Sequence, residues 1–158
     1  MTSDFSLTFY GCRGSFPVAG QDFQRYGGAS PCVVVKAGTR SIILDAGSGL
    51  VNYGQDMLGE FKGSKGSLVA DIFITHLHLD HLLGLPFFTP IYMPQASIHV
   101  WGPRMGNYQS FEDALNTLIH PPFFPVPLYE MQSVKNFYDI SEAHSIYYLK
   151  GEKRPVML

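Results

Sequence analysis

The chain has 158 residues, 46% of them hydrophobic and 15% charged, which supports one globular domain with its own core and excludes a disordered chain. Net charge is −2 with no run of Lys or Arg, so the footprint of a dedicated nucleic-acid binder is missing and a nucleic-acid polymer is disfavoured as partner. Cys12 and Cys32 are too few for a disulfide framework, the start MTSDFSLTF lacks the features of a signal peptide, and no apolar run approaches the roughly 20 residues a bilayer requires, so the reading is a cytoplasmic protein with no membrane partner.

Phe5, Leu7 and Phe9 alternate with Ser6, Thr8 and Tyr10, which predicts a half-buried strand over Phe5 to Tyr10. The Gly- and Pro-rich segment from Gly11 to Gly28 follows as a loop of a length that usually carries function. Within it, Arg13 and Ser15 are read as turn and surface residues and are left outside the catalytic set. Pro31 to Lys36 and Ser41 to Asp45 are β-rich runs joined by Ala37-Gly38-Thr39-Arg40, a hairpin by its turn chemistry. Asp45-Ala46-Gly47-Ser48-Gly49 is a carboxylate followed by a small-residue turn, and Leu50 to Leu58 reads as a short helix broken by Gly59.

A flexible connector, Gly63 to Ser67, leads into a central strand, Leu68 to Thr75, and that strand delivers Thr75-His76-Leu77-His78-Leu79-Asp80-His81. Three of the six histidines and a carboxylate fall within six residues at a strand end. Independent draws at average residue usage would give this pattern in roughly one chain of this length in ten thousand. Imidazole and carboxylate together suit zinc, and also manganese or iron, whereas calcium and magnesium take mostly oxygen. Residues 82 to 92 are apolar and aromatic and are read as packing beneath the cluster. Ser97 to Trp101 is a further strand, with His99 read as a structural or surface residue outside the metal set. Ser110-Phe-Glu-Asp opens a helix as a capping box does, and it ends at His120-Pro121-Pro122. Phe123 to Pro127 is read as a lid or packing flap. Val134 to Ile140, Ser145 to Leu149 and Pro155 to Leu158 are predicted strands, with a turn over Lys150 to Lys153.

THLHLDH after a buried strand, preceded by ILDAGSG and by FYGCRGSFPVAG with RYGG and CVVV, resembles the metallo-β-lactamase superfamily, in the branch of cyclic-nucleotide and phosphonate-pathway phosphodiesterases and the transfer-RNA 3′-processing nuclease. The resemblance, which extends to WGP and PPFFPVP, implies an α/β fold, the αββα sandwich of two mixed sheets with outer helices. It implies that His76 and His78 hold one divalent ion and Asp80 and His81 a second, with Asp80 counted as catalytic for that reason. It places Asp45 beside the ions as a residue that orients a ligand imidazole. The implied cofactor is Zn2+, with Mn2+ or Fe as substitutes.

In the resembling family, a further histidine for each ion and a bridging aspartate come from the second half of the fold. The sequence reaches Leu158 at about the point where the strand leading to them would begin, so residues 1 to 158 are expected to form a single, incomplete domain. His144 is predicted not to be a ligand, sitting at a strand entrance away from the cluster. The function expected is metal-dependent hydrolysis of a small phosphodiester by an activated water. The alternatives are a thioester or lactone hydrolase of the same superfamily, and a non-catalytic metal-binding or sensing domain or inactive fragment. Substrate identity and oligomeric state stay open.

Overall fold

The computed structural model describes residues 5–38, 40–62, 66–142, 144, 146–147 and 156–157. Six strands form one mixed sheet in sequence order: β1 (Phe5–Gly11), β2 (Cys32–Ala37), β3 (Arg40–Leu44), β4 (Leu68–Phe73), β5 (Ala96–Pro103) and β6 (Val134–Ile140). The first three are antiparallel, β1 and β2 joined by the long first loop and β2 and β3 by a tight hairpin, and β3 to β6 run parallel, each reached by a longer crossover. Two short strands, β7 (Ile146–Tyr147) and β8 (Val156–Met157), pair separately. The turn expected over 150–153 and much of the last two predicted strands lie outside the described residues.

One face of the sheet makes the core. Val34, Ile43, Ile72, Ile98 and Val100 are buried there against Leu50, Tyr53 and Met57 of helix α1 (Gly49–Phe61) and Phe111 and Leu115 of helix α2 (Phe111–Leu118). Between β4 and β5 the apolar stretch 82–92 folds as short 3-10 turns that bury Leu82, Leu85, Phe88 and Ile91, the packing role read from the sequence. Ser110 caps α2, its hydroxyl accepting from the Asp113 N–H at 3.1 Å, while Asp113 Oδ2 accepts from the Gln109 N–H and Asp139 accepts from the Phe111 N–H.

The opposite face differs from the expectation for β1. Phe5, Leu7 and Phe9 do alternate, but they are exposed at 68%, 48% and 68%. Paired residues place them on the face that carries Val33, Val35, Ile42 and Leu44 and, farther across, Phe73 stacked on Trp101 and Trp101 stacked on Tyr138. This is the face on which the second sheet of a sandwich packs. His99 is buried there, with Nδ1 3.1 Å from the Tyr138 hydroxyl, which fits its structural reading.

Helix α1 also departs from its predicted end by running through Gly59 to Phe61. An interior glycine costs a helix about 0.5–1 kcal/mol relative to alanine, and burial of Leu50, Tyr53 and Met57 along one stripe outweighs that. Nothing lies within 4 Å of where a Gly59 Cβ would stand, whereas a Gly54 Cβ would come within 2.9 Å of the Phe88 ring. Gly59→Ala is therefore expected to raise the urea midpoint, by about 0.5–1 kcal/mol of stability. Gly54→Ala should lower it by about 1–3 kcal/mol. Equal shifts in the two variants would contradict this placement of the helix.

Candidate functional site

In open α/β sheets, ligands bind outside the carboxyl ends of the strands. All the candidate residues collect at that edge here. Asp45 directly follows β3, the 76–81 stretch follows β4, and the 104–109 segment follows β5.

Asp45 sits at φ +63°, in the left-handed region that aspartate tolerates better than most residues, and such strain is stored where a function over-determines it. In that conformation its backbone N–H still donates to Phe73 at the end of β4, 2.8 Å away. Its buried carboxylate turns toward the next loop. Oδ1 accepts from the Thr75 N–H at 2.8 Å and from the Thr75 hydroxyl at 2.9 Å, and Oδ2 lies 2.9 Å from His81 Nδ1. That last contact has the distance of a hydrogen bond without its alignment, so it orients the imidazole electrostatically.

The turn after Asp45 is built by close backbone approach. The Ala46 N–H donates to the His81 carbonyl and the Gly84 N–H to the Ala46 carbonyl, both at 2.8 Å. A Cβ on Gly84 would stand 2.0 Å from the Gly47 oxygen, and one on Gly47 2.4 Å from the Asp80 oxygen, so only glycine fits at either place. These contacts fix the main chain that presents the histidines.

His76, His78, Asp80 and His81 come together as two pairs. His76 Nε2 is 3.0 Å from His78 Nδ1, and His81 Nε2 is 3.5 Å from Asp80 Oδ2. The pairs abut, with the His76 and His81 ring centroids 4.1 Å apart. Among the described residues, no three His, Cys, Asp or Glu side chains surround a common centre. Asp80 is buried, and its Oδ2 also accepts from the Ser15 N–H at 2.8 Å.

That contact gives the first loop a place in the site that sequence reasoning left out. A backbone donor has no side-chain signature; the only local trace is the Gly- and Pro-rich composition, which lets Ser15 adopt φ +73°. Two residues earlier, the Arg13 guanidinium lies over the Phe16 and Phe23 rings, 5.6 Å from each centroid, and its buried Nε has no hydrogen-bond partner. His144 lies two residues before β7, at a strand entrance as predicted, and its ring accepts from the Ser141 N–H at 3.2 Å. Phe124 meets Phe87 edge-on and packs on the core, so the 123–127 segment is partly a flap.

Cys32, fully buried on β2, has its thiol pushed up to about 12 by burial and, secondarily, by the Asp45 carboxylate. It is a neutral thiol at pH 7, unfit as a nucleophile.

A family model described as the metallo-beta-lactamase superfamily matches residues 25–133, a span that includes Asp45 and the whole of 76–81. Ribonuclease Z of Thermoplasma acidophilum is 30% identical over 141 residues, which cover 87% of this chain and 41% of that protein. Ribonuclease Z of Pyrococcus abyssi is 28% identical over 104 residues, covering 64% of this chain and 32% of that protein. The chain thus spans about a third to two fifths of the length of these curated relatives. Among solved structures, a diphosphatase of the PhnP family superposes with a TM-score of 0.51 at 21% identity, over 92% of this chain and 53% of that one. The metallo-beta-lactamase fold protein YhfI of Bacillus subtilis superposes with a TM-score of 0.50 at 15% identity, over 98% of this chain and 56% of that one. At these identities the two structures speak for the fold.

Asp45→Asn keeps the shape but removes the charge from three contacts, and it should cost about 1.5–3 kcal/mol in urea unfolding, as for hydrogen bonds to a charged group. A change within error would mean that the carboxylate does not brace the loop. Native protein should also react with one equivalent of an alkylating reagent at exposed Cys12, and with a second at Cys32 only in denaturant. Two equivalents consumed by the folded chain would contradict the burial of Cys32.

Proposed function

This chain belongs to the metallo-beta-lactamase superfamily, and from that premise we propose that it serves metal-dependent hydrolysis of a small phosphodiester. Paired donor atoms carry the reading. Two ligands of one tetrahedral zinc, each at about 2.0–2.1 Å, stand about 3.3 Å apart. The separations here bracket that value: 3.0 Å between His76 Nε2 and His78 Nδ1, and 3.5 Å between His81 Nε2 and Asp80 Oδ2. Imidazole and carboxylate donors fit zinc, with manganese and iron next.

In this reading His76 and His78 hold one ion, and Asp80 and His81 the other. Asp45 fixes the His81 ring and the Thr75 backbone, the role a carboxylate plays behind a metal-binding imidazole. The Ser15 N–H holds the Asp80 carboxylate in place. Bound divalent ions would acidify water toward neutrality and offset charge on the reacting oxygens. Two protein donors per ion leave coordination positions for water, substrate and further protein groups.

Phosphorus is favoured over a carbonyl by the first loop, which docks on Asp80 through the Ser15 N–H and so adds a backbone donor at the cluster. Ribonuclease Z is named for cleavage of bonds to phosphorus, which supports the same bond here. A small substrate suits the net charge of −2 better than a polymer does.

Purified protein is expected to retain zinc, manganese or iron by elemental analysis, and His76→Ala with His78→Ala should remove most of it. Equal metal in that double variant would sink the assignment. With metal bound and the second half of the fold present, bis(p-nitrophenyl) phosphate should be hydrolysed, and Asp80→Ala should lower the rate by about two orders of magnitude or more, on the scale of losing metal-ion catalysis. Turnover of a thioester but no phosphodiester would move the reading to carbonyl chemistry, and metal retention without turnover of either would make the domain a metal-binding one.

A further inference from the structure

The stretch that carries the four donors also builds something else. Leu77 and Leu79 alternate with His76, His78 and Asp80, and together with Leu82 they form one wall of a cavity of about 560 Å³. Ala114, Leu115 and Leu118 of α2 line it too, as does Phe123. The size falls in the range of small-molecule sites, about 300–1,000 Å³.

Its chemistry is selective. Among the described residues, no Asp, Glu, Lys, Arg or His lines it, and its polar members are limited to Asn107, Tyr108 and Thr117. Of these, Thr117 already donates its hydroxyl to the Asp113 carbonyl within α2. Leu79, Met105 and Phe123 stand exposed at the mouth, apolar surface in water that an occupant would cover. A ribose-phosphate chain would bring charge into a cavity with nothing to pair it, whereas an apolar group would gain by leaving water.

We infer that this cavity is the subsite for an uncharged apolar group, aryl or branched alkyl, of a small ester whose reacting centre lies at the histidine cluster. The inference rests on the hydrolase reading for the position of the reacting centre. Leu77 and Leu79 then determine specificity on the same six residues that supply the metal donors.

Indole serves as a neutral aryl probe, titrated against protein with isotope-labelled leucine methyls. Saturable shifts are expected at Leu77, Leu79 and Leu118. Thr117→Phe, which fills the cavity from an exposed helical position, should weaken binding about tenfold, on the scale of losing part of one buried ring. Leu118→Lys should do the same by placing a charge there. The double variant His76→Ala, His78→Ala should bind indole within twofold of the native protein, because no donor atom is involved. Under turnover, phenyl p-nitrophenyl phosphate should show a KM about tenfold below that of methyl p-nitrophenyl phosphate, the gain of burying one ring, and Thr117→Phe should erase the difference.

Absence of saturable shifts would overturn the inference, as would uridylyl-uridine binding at the same methyls as tightly as indole. Failure to hydrolyse either ester would remove the hydrolase reading while the indole titration still decides whether the cavity takes an apolar ring.

Discussion

The carboxylate of Asp45 holds the site together. It stands at the end of β3 in a left-handed conformation, and from there it reaches the Thr75 amide and hydroxyl and the His81 ring. A buried carboxylate is costly unless donors surround it, so the same free energy that penalises its burial enforces the loop that satisfies it. Behind it, Gly47 and Gly84 let two turns approach backbone to backbone, and the His81 carbonyl is tied to the Ala46 amide. The donors of 76–81 are thus positioned by main-chain geometry as much as by their own rotamers.

The sheet supplies the platform. Parallel pairing of β3 to β6 brings the carboxyl ends of four strands to one edge, and the apolar turns of 82–92 bury four large side chains beneath the loop leaving β4. A loop carrying three imidazoles and a carboxylate gains little from its own burial. Its order comes from what it stands on, the buried apolar turns of 82–92. On the opposite face the aromatic stack of Phe73, Trp101 and Tyr138 gives way toward β1 to exposed Phe5, Leu7 and Phe9. That gradient is a property of tertiary context alone.

Local features were legible in the sequence for local reasons. Three imidazoles and a carboxylate within six residues after an apolar strand come close together without any long-range contact, and the capping of α2 by Ser110 is written in four consecutive residues. Period-two alternation identified β1 as a strand, but it could not say whether the apolar side of that strand meets a core. Gly59 looked like a helix end because its propensity cost is visible in sequence, whereas the buried stripe that overrides it is not. The Ser15 amide and the wall formed by Leu77 and Leu79 are contacts between segments far apart in the chain, one through a backbone atom and the other through residues that read as ordinary core.

Anomalous diffraction at the zinc edge, from crystals of the metal-loaded protein, tests the central claim most directly. The account predicts one peak between His76 Nε2 and His78 Nδ1 and a second between Asp80 Oδ2 and His81 Nε2, with the Asp45 carboxylate outside coordination distance and turned to the His81 ring. Peaks elsewhere on the chain, or Asp45 bound directly to an ion in place of His81, would contradict it.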